Sequence, residues 1–209
     1  MQSMLNAVAV SRVPLGRPRS FDPDAALRAA LEVFWQQGYE ATSLDDLNRA
    51  MGLSRSSFYA FFGSKHAALM AAVRLYADER FAALTDRAES SPDPGAAVGA
   101  MLAVIADVDG GTRGCLFVNA VAELAPGDHE LVAFAQAHTR RVHDLMTAVV
   151  TRLGCPRAEA AQRAGAVLAL ALGVTTLRKT GVSAPQLTGL LAQADHLLPL
   201  KPPTLRKHS

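Results

Sequence analysis

Arg55, Ser56 and Ser57 stand in a row just after Ser54 and just before Phe58, Tyr59, Phe61 and Phe62. With Ser54 as an N-cap, the run predicts a short helix on which Phe58, Phe61 and Phe62 share an apolar side while Arg55, Ser56, Ser57 and Tyr59 point elsewhere. A guanidinium and hydroxyls on the first turn of a capped helix are polar groups that a partner can meet end-on. The stretch before it predicts another short helix: Ser43 is its N-cap, Asp46 lies three residues on, and Leu44, Leu47 and Met51 recur at helical spacing before Gly52 supplies a left-handed C-cap. Helix, glycine turn and capped helix with a polar first turn is the layout of a helix-turn-helix, whose second helix fits a DNA major groove. It is also the layout of an ordinary helical hairpin in a bundle core.

Both helices are too short to stand alone, so a scaffold must hold them. The preceding segment supplies one. Asp22 caps, Pro23 sits at the favoured first position, and Leu27, Ala30, Leu31 and Phe34 form one stripe that Gly38 ends. Trp35 and Tyr39 lie beside that stripe at helical spacing, which favours packing over base stacking. On the other side, Ser64 opens a long helix through Leu69, Val73, Tyr76 and Arg80 towards Ala88.

The wording is more specific than the pattern. Thr42-Ser43, then Met51-Gly52-Leu53-Ser54, then Phe58-Tyr59-Ala60-Phe61-Phe62-Gly63-Ser64-Lys65 resembles, almost position for position, the N-terminal domain of the tetracycline-repressor (TetR) family of bacterial transcription regulators. The resemblance covers about residues 17–75 and is only architectural beyond. It implies an all-α protein with a three-helix DNA-binding domain and a helical sensing and dimerisation domain. It places Arg55, Ser56 and Ser57 on the first turn of a recognition helix. An arginine there can bond a guanine edge with two donors, worth about 1–3 kcal/mol of discrimination. Thr42, Ser43, Tyr59 and Lys65 match positions that hold phosphates, and hydroxyls, a helix N-terminus and an ammonium suit that task. Phe58 and Phe62 are expected in the core. Asp45 departs from the pattern, standing where some members carry a cation, and should reduce phosphate affinity while favouring its own helix N-terminus.

Composition agrees with a helical regulator and excludes other classes. The chain has 209 residues, 50% of them hydrophobic and 6% aromatic, with Ala, Leu and Val dominating and little strand-like alternation. A net charge of +2 requires any DNA affinity to come from local placement. Residues 1–21 carry Arg12, Arg17 and Arg19 and no acid. The Gly16-Arg17-Pro18-Arg19 wording resembles family arms that follow the DNA backbone or minor groove, so Arg17 and Arg19 are candidate contacts. Cys115 and Cys155 have no metal-ligand spacing, the six histidines are dispersed, and no nucleophile-base-orienter set is visible; neither enzyme activity nor a cofactor is expected. With no secretory signal pattern and no apolar run of spanning length, a cytoplasmic protein with reduced thiols and no membrane contact is expected.

The expected organisation is an arm at 1–20, a DNA-binding domain at 21–66, an effector-binding and dimerisation domain at 67–200, and a tail at 201–209. Ser90-Ser-Pro-Asp-Pro-Gly95 is the clearest break, and helices are expected at about 96–108, 113–125, 129–153, 157–180 and 184–198. The family resemblance implies a homodimer through the last two long helices, with Leu168, Leu172, Leu187, Leu190, Leu191, Ala194 and Leu198 at the interface, as a palindromic operator requires. Tyr76, Met101, Ile105, Cys115, Leu116, Asn119, Phe134 and His138 could enclose a pocket for a small organic effector; a filled core is the plainer alternative. Cys115, at a helix start beside Arg113, could instead respond covalently to electrophiles or oxidants, because both features lower a thiol pKa below about 8.5. A DNA-binding regulator without any ligand fits the same residues.

Overall fold

A computed structural model describes residues 22–198. Arg17, Arg19 and the tail lie outside the described residues. The scaffold helix α1 is Pro23–Gln37; Asp22 caps it by accepting from the Asp24 N–H, and Gly38 ends it at a φ of 81°. The Cβ of any other residue at 38 would stand 3.0 Å from a Glu123 carboxylate oxygen. α2 is Leu44–Met51, opened by a complete Ser43/Asp46 capping box and closed by left-handed Gly52. α3 is Arg55–Phe62, with the Ser54 hydroxyl accepting from the Ser57 N–H. These three pack with the first half of α4, Lys65–Ser90, around Phe34, Leu47, Phe58, Leu69 and Val73, all nearly or fully inaccessible.

The second half of α4 enters a separate core. Leu84 and Ala88 meet α5 (Pro94–Ala106), α7 (His129–Thr151) and α8 (Arg157–Arg178) around Val98, Met101, Met146, Val150 and Val167. The two cores do not divide where the chain does. α6 (Leu116–Leu124) sends Leu116 and Ala120, and the start of α7 sends Leu131, into the core built by α1 to α4.

Two expected helices differ. Arg113 does not open α6: Gly111–Arg113 is a 3₁₀ turn, and Gly114 at a φ of 72° breaks it from α6, with Cys115 as N-cap. The last expected helix is two. α9 is Ala184–Leu191 and α10 is Ala194–Leu197, joined by tightened turns in which the Gln193 and His196 N–H groups bond the carbonyls of Leu190 and Gln193. The bend turns Ala194 and Leu198 back into their own subunit. α8 is long and apolar enough to cross a membrane on average, with a hydropathy of 1.3 over the window, contrary to expectation. Its buried residues include Ala164, Val167, Leu168, Ala171 and Val174, the packing of a core helix.

The interface assignment changes accordingly. Leu168, Leu187, Ala194 and Leu198 are buried within the subunit, because α9 and α10 spend their apolar stripe covering α8. Leu172 and Leu191 are half-buried. What remains outward is Leu190 together with Leu177 and Leu197, and on α8 also the small, exposed Ala166, Ala169 and Gly173.

Candidate nucleic-acid interface

The polar turn of α3 is preorganised by its own cap. The Ser54 hydroxyl lies 3.0 Å from that of Ser56 and 2.9 Å from that of Ser57, a closed cluster at the exposed end of the helix. Arg55 extends from the same turn towards α2 and donates from Nε (3.3 Å) and Nη2 (2.9 Å) to one carboxylate oxygen of Asp45. Phe58 anchors the opposite side in the core, with the exposed Tyr59 ring edge-on at 5.6 Å and Phe62 at 5.3 Å. Phe61 is half-buried and meets Phe62 edge-on at 4.5 Å. Lys65 starts α4 with its ammonium 4.3 Å from the centre of the Tyr39 ring, a cation-π contact that fixes its stem.

Two of the phosphate candidates are otherwise occupied. Thr42 is buried, and its hydroxyl donates to the Gly38 carbonyl at 2.5 Å, so it closes the α1–α2 turn rather than facing outward. Ser43 is exposed, but its hydroxyl is engaged with Asp46 at 2.5 Å, and this bonding holds the Asp46 carboxyl below its usual range. Tyr59 and Lys65 keep outward polar groups, as do Arg55 and Ser56.

The second half grips this unit at several points. Glu123 on α6 accepts from the backbone N–H groups of Tyr39 (2.9 Å) and Glu40 (2.8 Å), capping the turn that leads to α2. The Trp35 indole donates to the Gly114 carbonyl at 3.2 Å, and buried Arg178 of α8 donates to the same oxygen at 2.9 Å. Arg178 also bonds the carboxylate of Asp107 at 2.9 Å and its carbonyl, although its buried Nε has no partner. Arg113, expected beside Cys115, instead pairs with Glu32 at 2.7 Å and stacks 4.0 Å over Trp35, so its charge is spent on α1. Glu123 and Arg178 escaped detection in sequence, since their partners lie 64–84 residues away and no local signal marks them.

His66 of α4 meets Asp128, the N-cap of α7, at 2.6 Å. The Leu131 N–H, then His66, hold the Asp128 carboxyl below its usual value. A depressed carboxyl contributes stability that is present above its unfolded pKa of about 3.9 and is lost as pH falls through the folded value. Asp128→Ala should therefore cost about 1 kcal/mol at pH 7, and the difference from wild type should shrink as pH falls below about 4, checked by denaturant unfolding at pH 7 and pH 3.

Of the eight pocket candidates, four line a common cavity. Tyr76, Ile105, Cys115 and His138 line a half-open void of about 70 Å³ with Arg80, Phe117, Thr139, Leu168 and Leu172, the last two having been expected at the dimer interface. Met101 and Leu116 are wholly packed in the two cores. Asn119 faces the neighbouring cleft, where it donates to the Arg113 carbonyl and accepts from Lys179. Phe134 stacks outside on His138 with centroids 6.0 Å apart and lies under Arg74. Burial pushes the His138 pKa down and the Tyr76 pKa up, so both face the void uncharged at neutral pH, while Arg80 is tied to the Val104 carbonyl.

A capped helix-turn-helix with one exposed polar turn, mounted on a helical second half, defines a DNA-binding protein. Residues 26–73 match the profile described as bacterial regulatory proteins, tetR family. YezE of Bacillus subtilis (strain 168), an uncharacterized HTH-type transcriptional regulator, is 31% identical over 136 residues, 62% of this chain and 69% of that protein. The HTH-type transcriptional repressor ComR of Escherichia coli (strain K12) is 52% identical over 68 residues, 32% of either chain. Among solved structures, a cysteine mutant of the TetR family regulator CifR, complexed with 26-base-pair operator DNA, superposes with a TM-score of 0.76 over 88% of this chain and all of that one, at 27% identity. The chain belongs to the TetR family. It is a DNA-binding transcriptional regulator, not an enzyme, and double-stranded DNA is its partner.

Proposed function

We propose that this protein is a homodimeric cytoplasmic repressor that holds a palindromic operator through the exposed turn of α3 and is released by a small organic effector. The observation that carries the DNA reading is the placement of Arg55 and Ser56 on an exposed turn capped by the Ser54 hydroxyl, whose far side is pinned by Phe58. Arg55 then reads a base edge, Ser56 and Ser57 fill the groove, and Tyr59 and Lys65 meet phosphates, with Arg17 and Arg19 following the backbone or minor groove. ComR and BdcR of Escherichia coli are repressors by name, which supports the same sign here.

Site selection from a random duplex library tests this. A palindromic preferred sequence is expected from wild type, with Arg55→Ala flattening preference at particular base pairs and Lys65→Ala weakening all sequences alike and lowering the salt slope by about one per subunit. An unchanged preferred sequence in Arg55→Ala would remove Arg55 from base readout.

The cavity gives the effector reading a place. At about 70 Å³ the void is smaller than ligand pockets, which run to about 300–1,000 Å³. The void lies between α4, α6 and α8, so an occupant larger than it displaces these helices, and α6 carries Glu123, which caps the turn before α2. Occupancy and DNA geometry are thereby linked through differential binding to two arrangements. The lining suits a small, mainly apolar molecule with one polar group. Cys115, half-buried in the same wall, keeps a covalent occupant in view: in a compound panel, loss of operator binding that disappears in Cys115→Ser marks an electrophile, and loss shared by both marks a reversible ligand.

A further inference from the structure

α2 begins with two adjacent acids that do different things. Asp46 closes the capping box and is bonded three times by Ser43. Asp45 takes no part in it. Its carboxylate reaches across the glycine turn to the Arg55 side chain, and both groups are more than 60% exposed. As an ion pair in open solvent this adds little to folding, so stability does not explain the geometry.

The donors used are the informative part. A guanidinium has five N–H groups arranged in a side edge, formed by Nε and Nη2, and an end edge, formed by Nη1 and Nη2. Asp45 Oδ1 takes the side edge, at 3.3 and 2.9 Å. The end edge takes no bond among the described residues and keeps two parallel N–H groups, the spacing that O6 and N7 of guanine accept. We propose that Asp45 is a specificity-determining residue, holding Arg55 by its side edge so that its end edge is presented to a guanine, and repelling phosphates that would otherwise capture the same guanidinium. It acts through Arg55 and is therefore a positioning residue.

The unpaired alternative makes the consequence concrete. Without Asp45, Arg55 is a long cation with many rotamers on a surface that meets a polyanion, and a phosphate is the nearest strong acceptor. Arg55 would then add affinity to every sequence. With Asp45 present, leaving the carboxylate for a phosphate gains one anion and loses another, whereas a guanine is met with no exchange at all. The acid that lowers total affinity raises the ratio between right and wrong sites, which is the quantity that matters against a genome of competing sites.

This rests on Arg55 as a base reader, and the test separates the two. Site selection and salt-dependent binding are run on the full chain for wild type, Asp45→Asn, Arg55→Ala and the double variant, using the wild-type selected duplex and a scrambled one. Asp45→Asn should bind the scrambled duplex more tightly, steepen the salt dependence by about one per subunit, and lose preference about tenfold at the base pair that Arg55→Ala also flattens. The double variant should be no flatter there than Arg55→Ala alone. If Arg55→Ala flattens a position that Asp45→Asn leaves sharp, Arg55 reads unaided and the proposal falls while the reader stands. If Arg55→Ala changes no position, the reading of Arg55 fails first. Asp45 is exposed and outside the capping box, so the Asn variant should keep its helicity.

Discussion

Ala169→Glu should halve the mass of the protein in solution and weaken operator binding by two to four orders of magnitude. Ala169 is exposed on α8 with Ala166 and Gly173, small residues that let a second helix approach closely, and Leu177, Leu190 and Leu197 are large apolar side chains left exposed on α8 to α10. If two subunits meet there, the glutamate enters a dry surface without a partner, at a cost of several kcal/mol. Each half-site is then held alone, and the gain from linking two binding events, about 10²–10⁴ in affinity, is lost. Because Ala169 is exposed in the subunit, the separated chain should keep its helicity, with melting lowered only by the stabilisation that association supplied. Light scattering decides it: a wild-type monomer at micromolar concentration, or an undiminished mass in the variant, would remove this face from the interface.

Arg178→Met should lower the melting temperature by about 6–12 °C. The side chain is buried and joins three acceptors, the carboxylate and carbonyl of Asp107 and the carbonyl of Gly114, tying α8 to the turn between α5 and α6. Breaking a buried pair costs about 3–5 kcal/mol; Asp107 is 37% exposed, which brings the figure to about 3 kcal/mol. For a chain of this length each kcal/mol moves the midpoint about 2–4 °C. Arg178→Lys should fall part-way, since one ammonium cannot serve both ends of the fork. A midpoint for Arg178→Met within 2 °C of wild type would show that the loop holds without it.

What could be read in sequence was local. Ser43, Ser54 and Asp22 announce their caps within three residues, and Gly38 and Gly52 their stops, so α1 to α3 and the polar turn emerge from neighbours alone. Thr42 shows the limit: a hydroxyl before a helix looks like a phosphate contact until the Gly38 carbonyl is seen to hold it. Leu187 and Leu198 show another. An apolar stripe states that something must cover it, not whether the cover comes from the same chain, and here α8 of the same subunit does. Gly114 falls inside the expected 113–125 helix, and its role as the acceptor shared by Trp35 and Arg178 is not legible either, because that depends on three segments meeting.

The seating of α6 in the first core bears on how such regulators can be recombined. Exchanging sensor halves between relatives is tempting at residue 66, where the last short helix has ended. A cut there leaves Phe34, Leu47 and Phe58 facing a foreign α4 and α6 in place of Leu69, Val73, Leu116 and Ala120, and takes the Glu123 carboxylate away from Tyr39 and Glu40. A working chimera has to carry α6 and the opening turn of α7 along with α1 to α4, so the transferable DNA-reading cassette of this chain is discontinuous, two pieces of sequence that fold as one.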